Sequence, residues 1–243
     1  MKKIILFNLY LGLCTQLAFS QSGDHVNGGN FKKIVEYNYI QPGYYNSNSK
    51  GDVEKLFFGD FNAEIEFFFD PSFEYQPYIP SGFRVVRNSS NTSYILEVKY
   101  ISNYKEAHNV TSKMYPSIGI TNPFYITKEE GDKIKEHNNA AFAKQYEERI
   151  KLYKVETRSF SISNQFMEKL YKKMVSFIDK FKAKGVPPIM LDGYSVKFRN
   201  VVEDEVWSLY IHMPQGKALE MANLCRQIIE DALVDKFDEL KYY

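Results

Sequence analysis

The chain predicts an α+β fold, an antiparallel sheet or sheets with helices segregated to one side, preceded by a loose N-terminal leader. Three observations carry that expectation. Two stretches alternate apolar and polar residues with period two, two others repeat apolar residues at helical spacing, and the regular strand-helix-strand order of a parallel sheet is missing. Residues 53–243 read as one α+β domain, β-rich over 53–102 and helix-hairpin-helix over 163–240.

The first twenty residues read as a secretory signal peptide. Lys2 and Lys3 form a positive start, Ile4 to Leu13 a mostly apolar run, and Ala18-Phe19-Ser20 a small-x-small cleavage site. Lipoprotein anchoring through Cys14 is disfavoured, because Leu13 stands where the lipoprotein peptidase needs a small residue. The expected destination is periplasmic or extracellular, in a bacterium, and no later stretch of eighteen apolar residues predicts a membrane span. Residues 21–52 read as a flexible leader, since Asn27-Gly28-Gly29-Asn30, Pro42-Gly43 and Asn46-Ser47-Asn48-Ser49 leave no helical period.

Strands follow. Ile65, Phe67 and Phe69 alternate with Glu64, Glu66, Phe68 and Asp70, and Tyr94, Leu96, Val98 and Tyr100 alternate with Ser93, Ile95, Glu97 and Lys99. Leu56-Phe57-Phe58 and Phe83 to Val86 are weaker strand candidates, giving a meander of about four strands. Residues 103–126 read as irregular, because Pro116, Gly119 and Pro123 interrupt them. Thr127 and Glu130 then form a capping box that starts a helix running to about Arg149, polar enough in its first half to project from the core. Lys154 to Ile162 alternates again. Phe166, Leu170, Met174, Ile178 and Phe181 fall on one helical face, stopped by Gly185 and Pro187-Pro188. A hairpin pairs Tyr194, Val196 and Phe198 with Trp207, Leu209 and Ile211, and a last helix packs through Ala218, Met221, Ala222, Cys225, Ile228, Ile229 and Ala232.

Charge and cysteine usage exclude several functions. Without the signal peptide the chain carries 29 basic and 30 acidic residues, so no basic excess points to nucleic acid. Cys225 becomes the sole thiol, which rules out an internal disulfide and reads as a buried core residue. The phosphate-loop, dinucleotide-loop, H-E-x-x-H and C-x-x-C fingerprints are all missing, and no cofactor or metal is expected.

Two sets of residues are candidates for function. Alternation places Ser195, Lys197 and Arg199 on the face that carries Ser208, Tyr210 and His212, where His212 near Asp192 or Glu205 is the enzyme candidate. The competing expectation for that face is a solvent-facing sheet surface. Aromatic residues fill 15 of the 53 positions from Phe31 to Phe83, and Tyr44, Tyr45, Phe58, Phe68, Tyr75 and Tyr78 are the binding candidates. The pair Glu64 and Glu66 reads as an ordinary strand face. The functional expectation is an exported, non-enzymatic envelope protein that binds a protein partner or a cell-surface component. The alternatives are an extracytoplasmic hydrolase using His212 and a glycan-binding module.

Overall fold

The computed structural model describes residues 50–59, 63–71, 79–88, 93–119, 126–181, 193–203 and 205–242. The signal, nearly all of the leader, Asp192, Tyr44, Tyr45, Tyr75 and Tyr78 lie outside the described residues. Six strands pair throughout in antiparallel fashion: β1 (Ile65–Pro71), β2 (Ser81–Arg87), β3 (Tyr94–Ile101), β4 (Val155–Ile162), β5 (Tyr194–Val202) and β6 (Glu205–His212), in the order β4-β3-β2-β1-β5-β6. The helices are α1 (Asp52–Phe58), α2 (Tyr104–Met114), α3 (Lys128–Leu152), α4 (Asn164–Lys180) and α5 (Lys217–Leu233). The α+β expectation therefore holds. The N-terminal meander and the C-terminal hairpin join in one sheet, because β1 accepts β5 along its whole length.

One face of that sheet is apolar. Ile65, Phe67 and Phe69 of β1, Phe83 and Val85 of β2, Leu96 and Val98 of β3, Val196 and Phe198 of β5 and Leu209 and Ile211 of β6 all point to it. Phe166, Leu170, Met174 and Ile178 of α4 and Met221, Ala222, Cys225, Ile228 and Ile229 of α5 close over them. Phe67 lies between Phe83 and Phe198, with ring centroids 5.7 and 5.2 Å away. Both helices expose their polar stripe, as a surface helix on a sheet must. Cys225 is buried, and desolvation drives its thiol far up from its ordinary value, which makes it an inert core residue.

The opposite face holds the surprises. Leu56-Phe57-Phe58 belongs to a helix rather than a strand, since a three-residue apolar run carries no period of its own. The local signals are Asp52 and Glu54 in the first turn, the Gly51 N–H donating to Glu54 Oε2 at 3.1 Å, and Gly59 at φ 65 ending the turn. Phe57 and Phe58 then pack with Phe68, Ile101 and Tyr104 into a second, smaller apolar cluster. A side chain at Gly82 would collide there: its Cβ would stand 2.5 Å from the Phe67 carbonyl and 3.0 Å from the Phe58 ring.

Helix α2 occupies part of the segment expected to be irregular. Its buried stripe, Tyr104, Ala107, His108 and Thr111, has correct helical spacing but is mostly polar, so an apolar period does not reveal it. It packs on α3, whose capping box at Thr127 and Glu130 forms as expected. Ala141 and Gln145 are the buried residues of α3 among those described, in keeping with a helix standing off the sheet. Arg149 donates to His108 Nδ1 at 2.7 Å, while the other ring nitrogen meets the Tyr153 hydroxyl at 3.1 Å. Burial and the Arg149 charge hold His108 down to about 4, so it serves neutral as a joint between the helices.

Candidate functional site

Register builds the site. On the face away from the main core, Glu66 of β1 stands opposite Arg84 of β2 and Arg199 of β5, Arg84 stands opposite Glu97 of β3, and Arg199 opposite Ser208 of β6. Charges alternate in sign along this row, the arrangement that cross-strand neighbours favour. The next row includes Phe68, Lys197 and Tyr210, and the one beyond it Asp70, Ser195 and His212.

Helix α1 turns the first two rows into a buried ionic network. Glu54 receives Lys197 Nζ at 2.5 Å and Arg199 Nη1 at 3.3 Å. Glu66 receives Lys50 Nζ at 3.0 Å, Arg199 Nη1 at 3.2 Å and the Ala63 N–H at 2.9 Å. Arg84 bonds Glu97 at 2.6 Å and reaches the Phe58 carbonyl at 3.3 Å, a cation closing the C-terminal end of α1. Glu54, Glu66, Lys50, Lys197 and Arg199 are all buried. Desolvation lowers the pKa of Lys50 and of Lys197, outweighing the upward pull of the neighbouring Glu66 and Glu54. Ser195, Lys197, Arg199 and Ser208 thus share the face the alternation assigned them, but α1 covers most of it and solvent does not reach it.

The third row differs. Ser195 Oγ lies 2.7 Å from the Tyr210 hydroxyl and 3.1 Å from His212 Nδ1, and both Tyr210 and His212 are half-buried. Asp70 flanks Ser195 on the other side, and its side chain is exposed. Yet crowding by protein is the main force on it. Desolvation first, then the Glu54 carboxylate, push Asp70 up to about 6, with Lys197 opposing. Among the described residues no hydrogen bond or ion pair reaches that carboxylate.

Helices α1 and α3 are tied together by a hydrogen bond. Tyr146 of α3 donates to Asp52 Oδ2 of α1 at 3.0 Å, bridging the two, and Asp70 acts on the Tyr146 and Tyr153 hydroxyls. Tyr146 remains 46% exposed.

The candidates read from sequence fall in different places. His212 lies in the third row beside Ser195. Glu205 begins β6, seven residues away, a separation of about 23 Å along a strand. The carboxylate in the row of His212 is instead Asp70, two strand spacings or roughly 10 Å across. Phe58 and Phe68 are 3% and 7% exposed and fill the second apolar cluster under α1. Glu64 and Glu66 do not act together: Glu64 pairs with Arg87 at 2.5 Å, Glu66 with Lys50 and Arg199. Among the described residues no group of His, Cys, Asp and Glu is placed to hold a metal ion, and no helix is long and apolar enough to cross a membrane. No protein-family model, curated protein or solved structure matches this chain.

Asp70, Glu54 and Lys50 were missed from sequence. The available signal was complementary sign: Glu66 and Asp70 alternate on one strand as Lys197 and Arg199 do on another, and pairing β1 with β5 brings them together.

Proposed function

We propose that the protein is an exported, non-enzymatic envelope protein that binds a cell-surface component at the outer row of the charged face, where Asp70 is exposed and Tyr210 and His212 are half-buried. One observation carries the reading. On a face where the neighbouring buried charges are matched by partners, Asp70 alone among Glu54, Glu66, Lys50, Lys197, Arg199 and itself has neither hydrogen bond nor ion pair. An exposed carboxylate left without a protein partner, on a face whose other acids and bases are paired, is available to a ligand. The signal-like N-terminus supports export.

The test is retention on envelope. Purified protein lacking residues 1–20 is mixed with washed envelope fragments, and the bound fraction is compared with that of Asp70→Ala. Saturable binding lost in the variant is the expected result. Equal binding by both forms removes Asp70 from the account.

A second reading, an extracytoplasmic hydrolase, is favoured by the shared row of Asp70 and His212, a carboxyl pushed up to about 6 and an imidazole on either side of Ser195. It expects turnover of ester or glycoside analogues with a pH profile that Asp70→Asn abolishes.

A further inference from the structure

We propose that β4 pairs with β4 of a second copy of this chain across a two-fold axis at Thr157, joining two six-stranded sheets into one continuous sheet.

Strand β4 ends the sheet on one side, and it is an unprotected edge. Its eight residues pair with β3 without a bulge, include no Pro, Gly or Lys, and make no outward backbone bond among the described residues. Folded proteins usually blunt an edge with one of those devices, because amides and carbonyls left in line are a template for another strand. Lys154 fixes which groups are free. Its carbonyl accepts from the Ser102 N–H at 2.9 Å, and its own N–H donates to Asn103 Oδ1 at 2.7 Å. Alternation from there turns the backbone of Glu156, Arg158 and Phe160 toward β3, and that of Val155, Thr157, Ser159 and Ser161 outward.

Exposed apolar side chains flank this edge. Asp235 binds Arg158 at 2.6 Å, Phe237 packs on Phe160 with ring centroids 5.0 Å apart, and Glu239 accepts from the Ser163 N–H at 2.8 Å. Residues 235–239 therefore run beside β4. Val234 and Leu240, at the two ends of that run, are 58% and 68% exposed, the most exposed large apolar residues among those described. Backbone pairing alone covers little area, and a stable contact of roughly 1,000 Å² or more draws on apolar surface of this kind.

Charge selects the register. A two-fold axis normal to the sheet keeps every residue on its own face, so odd positions meet odd and even meet even. Centring on Arg158 sets that residue against its own copy, and centring on Ser159 sets Glu156 against Ile162 and Arg158 against Phe160. Centring on Thr157 sets Glu156 opposite Arg158 of the second copy, twice, in the closely spaced pairs that exchange no backbone bonds. The same register joins Thr157 to Thr157 and Val155 to Ser159, all of them outward residues. Glu156 is exposed and the Arg158 side chain is 37% exposed, so both keep surface to offer beyond their bonds to Tyr100 and Asp235.

Analytical ultracentrifugation of the chain lacking residues 1–20, from about 1 to 100 μM, tests the proposal. The expected result is a concentration-dependent dimer, weakened about tenfold or more by each of two changes. Thr157→Pro removes an outward N–H and no bond to β3, and Glu156→Arg faces Arg158 with a like charge. Glu156→Arg combined with Arg158→Glu restores opposite charges and is expected to restore the dimer. Thermal melts verify the fold of each variant. Amide exchange at Thr157 and Ser159, slow in concentrated protein and fast on dilution, locates the contact without any substitution. A monomer throughout the range, or a dimer indifferent to both single changes, overturns the proposal. So does a monomer whose Thr157 and Ser159 amides slow only when envelope fragments are added, which assigns the edge to a strand of another protein.

Discussion

The two faces of β5 are made of the same nine residues and do opposite work. Val196 and Phe198 enter an apolar core of facing rings, where attraction is non-directional and a neighbour of similar volume will serve. Lys197 and Arg199 enter a network in which each of their ion pairs has a named carboxylate acceptor. Burying ions costs several kcal/mol each, and well-placed partners about offset that, so the charged face adds little net stability. It adds position instead: only one seating of α1 puts Glu54 on both Lys197 and Arg199 and the Phe58 carbonyl on Arg84.

The contrast between the faces breaks hardest where one ion is removed. Glu54→Gln leaves Lys197 and Arg199 short of an acceptor under α1 and is expected to cost about 3–5 kcal/mol by urea unfolding, as much as Phe198→Ala on the apolar face. The triple change Glu54→Leu, Lys197→Met and Arg199→Met is the sharper comparison, because it deletes the charges together and leaves Lys50 with Glu66. Stability within about 1 kcal/mol of wild type, or above it, is expected. If the triple variant is as damaged as the single one, the network is a net source of stability and the comparison fails. Gly82→Ala drives a methyl into the Phe67 carbonyl and the Phe58 ring, with an expected cost of about 1–3 kcal/mol.

Smaller effects separate the third row from the first two. The Asp70 carboxyl rises from 3.8 to about 6 on folding, mainly through desolvation, so the folded protein holds the extra proton between those values. Stability is expected to fall as pH climbs from about 4 to about 6 and to stay lower above. Asp70→Asn flattens that slope and melts higher than wild type at pH 7 but not at pH 4, which thermal melts across this range will read. Ser208→Ala is the smallest change. Its buried hydroxyl has no hydrogen-bond partner among the described residues, so its loss is expected to alter stability by less than about 0.5 kcal/mol.

Legibility in the sequence follows the same division. The strands β1, β3, β5 and β6 and the helices α4 and α5 were readable because their buried sides are apolar, and apolar periodicity is what a sequence displays most plainly. The face shared by Ser195, Lys197, Arg199, Ser208, Tyr210 and His212 was readable from alternation. Its burial was not. Buried Lys and Arg look like solvated ones until their partners are known, and the partners come from β1 and α1, more than 130 positions earlier in the chain. Helices α1 and α2 escaped for a related reason. Glu54, His108 and Thr111 are buried polar residues, which a hydrophobic period counts as gaps.

The central claim is that one charged face is divided, its first two rows holding the fold and its third row carrying the proposed binding. Measuring melting temperature and envelope retention side by side for Asp70→Ala and Glu54→Gln tests this most directly, with retention assayed well below both melting temperatures. The account predicts that Asp70→Ala melts no lower than wild type and loses retention, while Glu54→Gln melts well below wild type. An Asp70→Ala protein that is retained as fully as wild type, or one that unfolds as readily as Glu54→Gln, would contradict it.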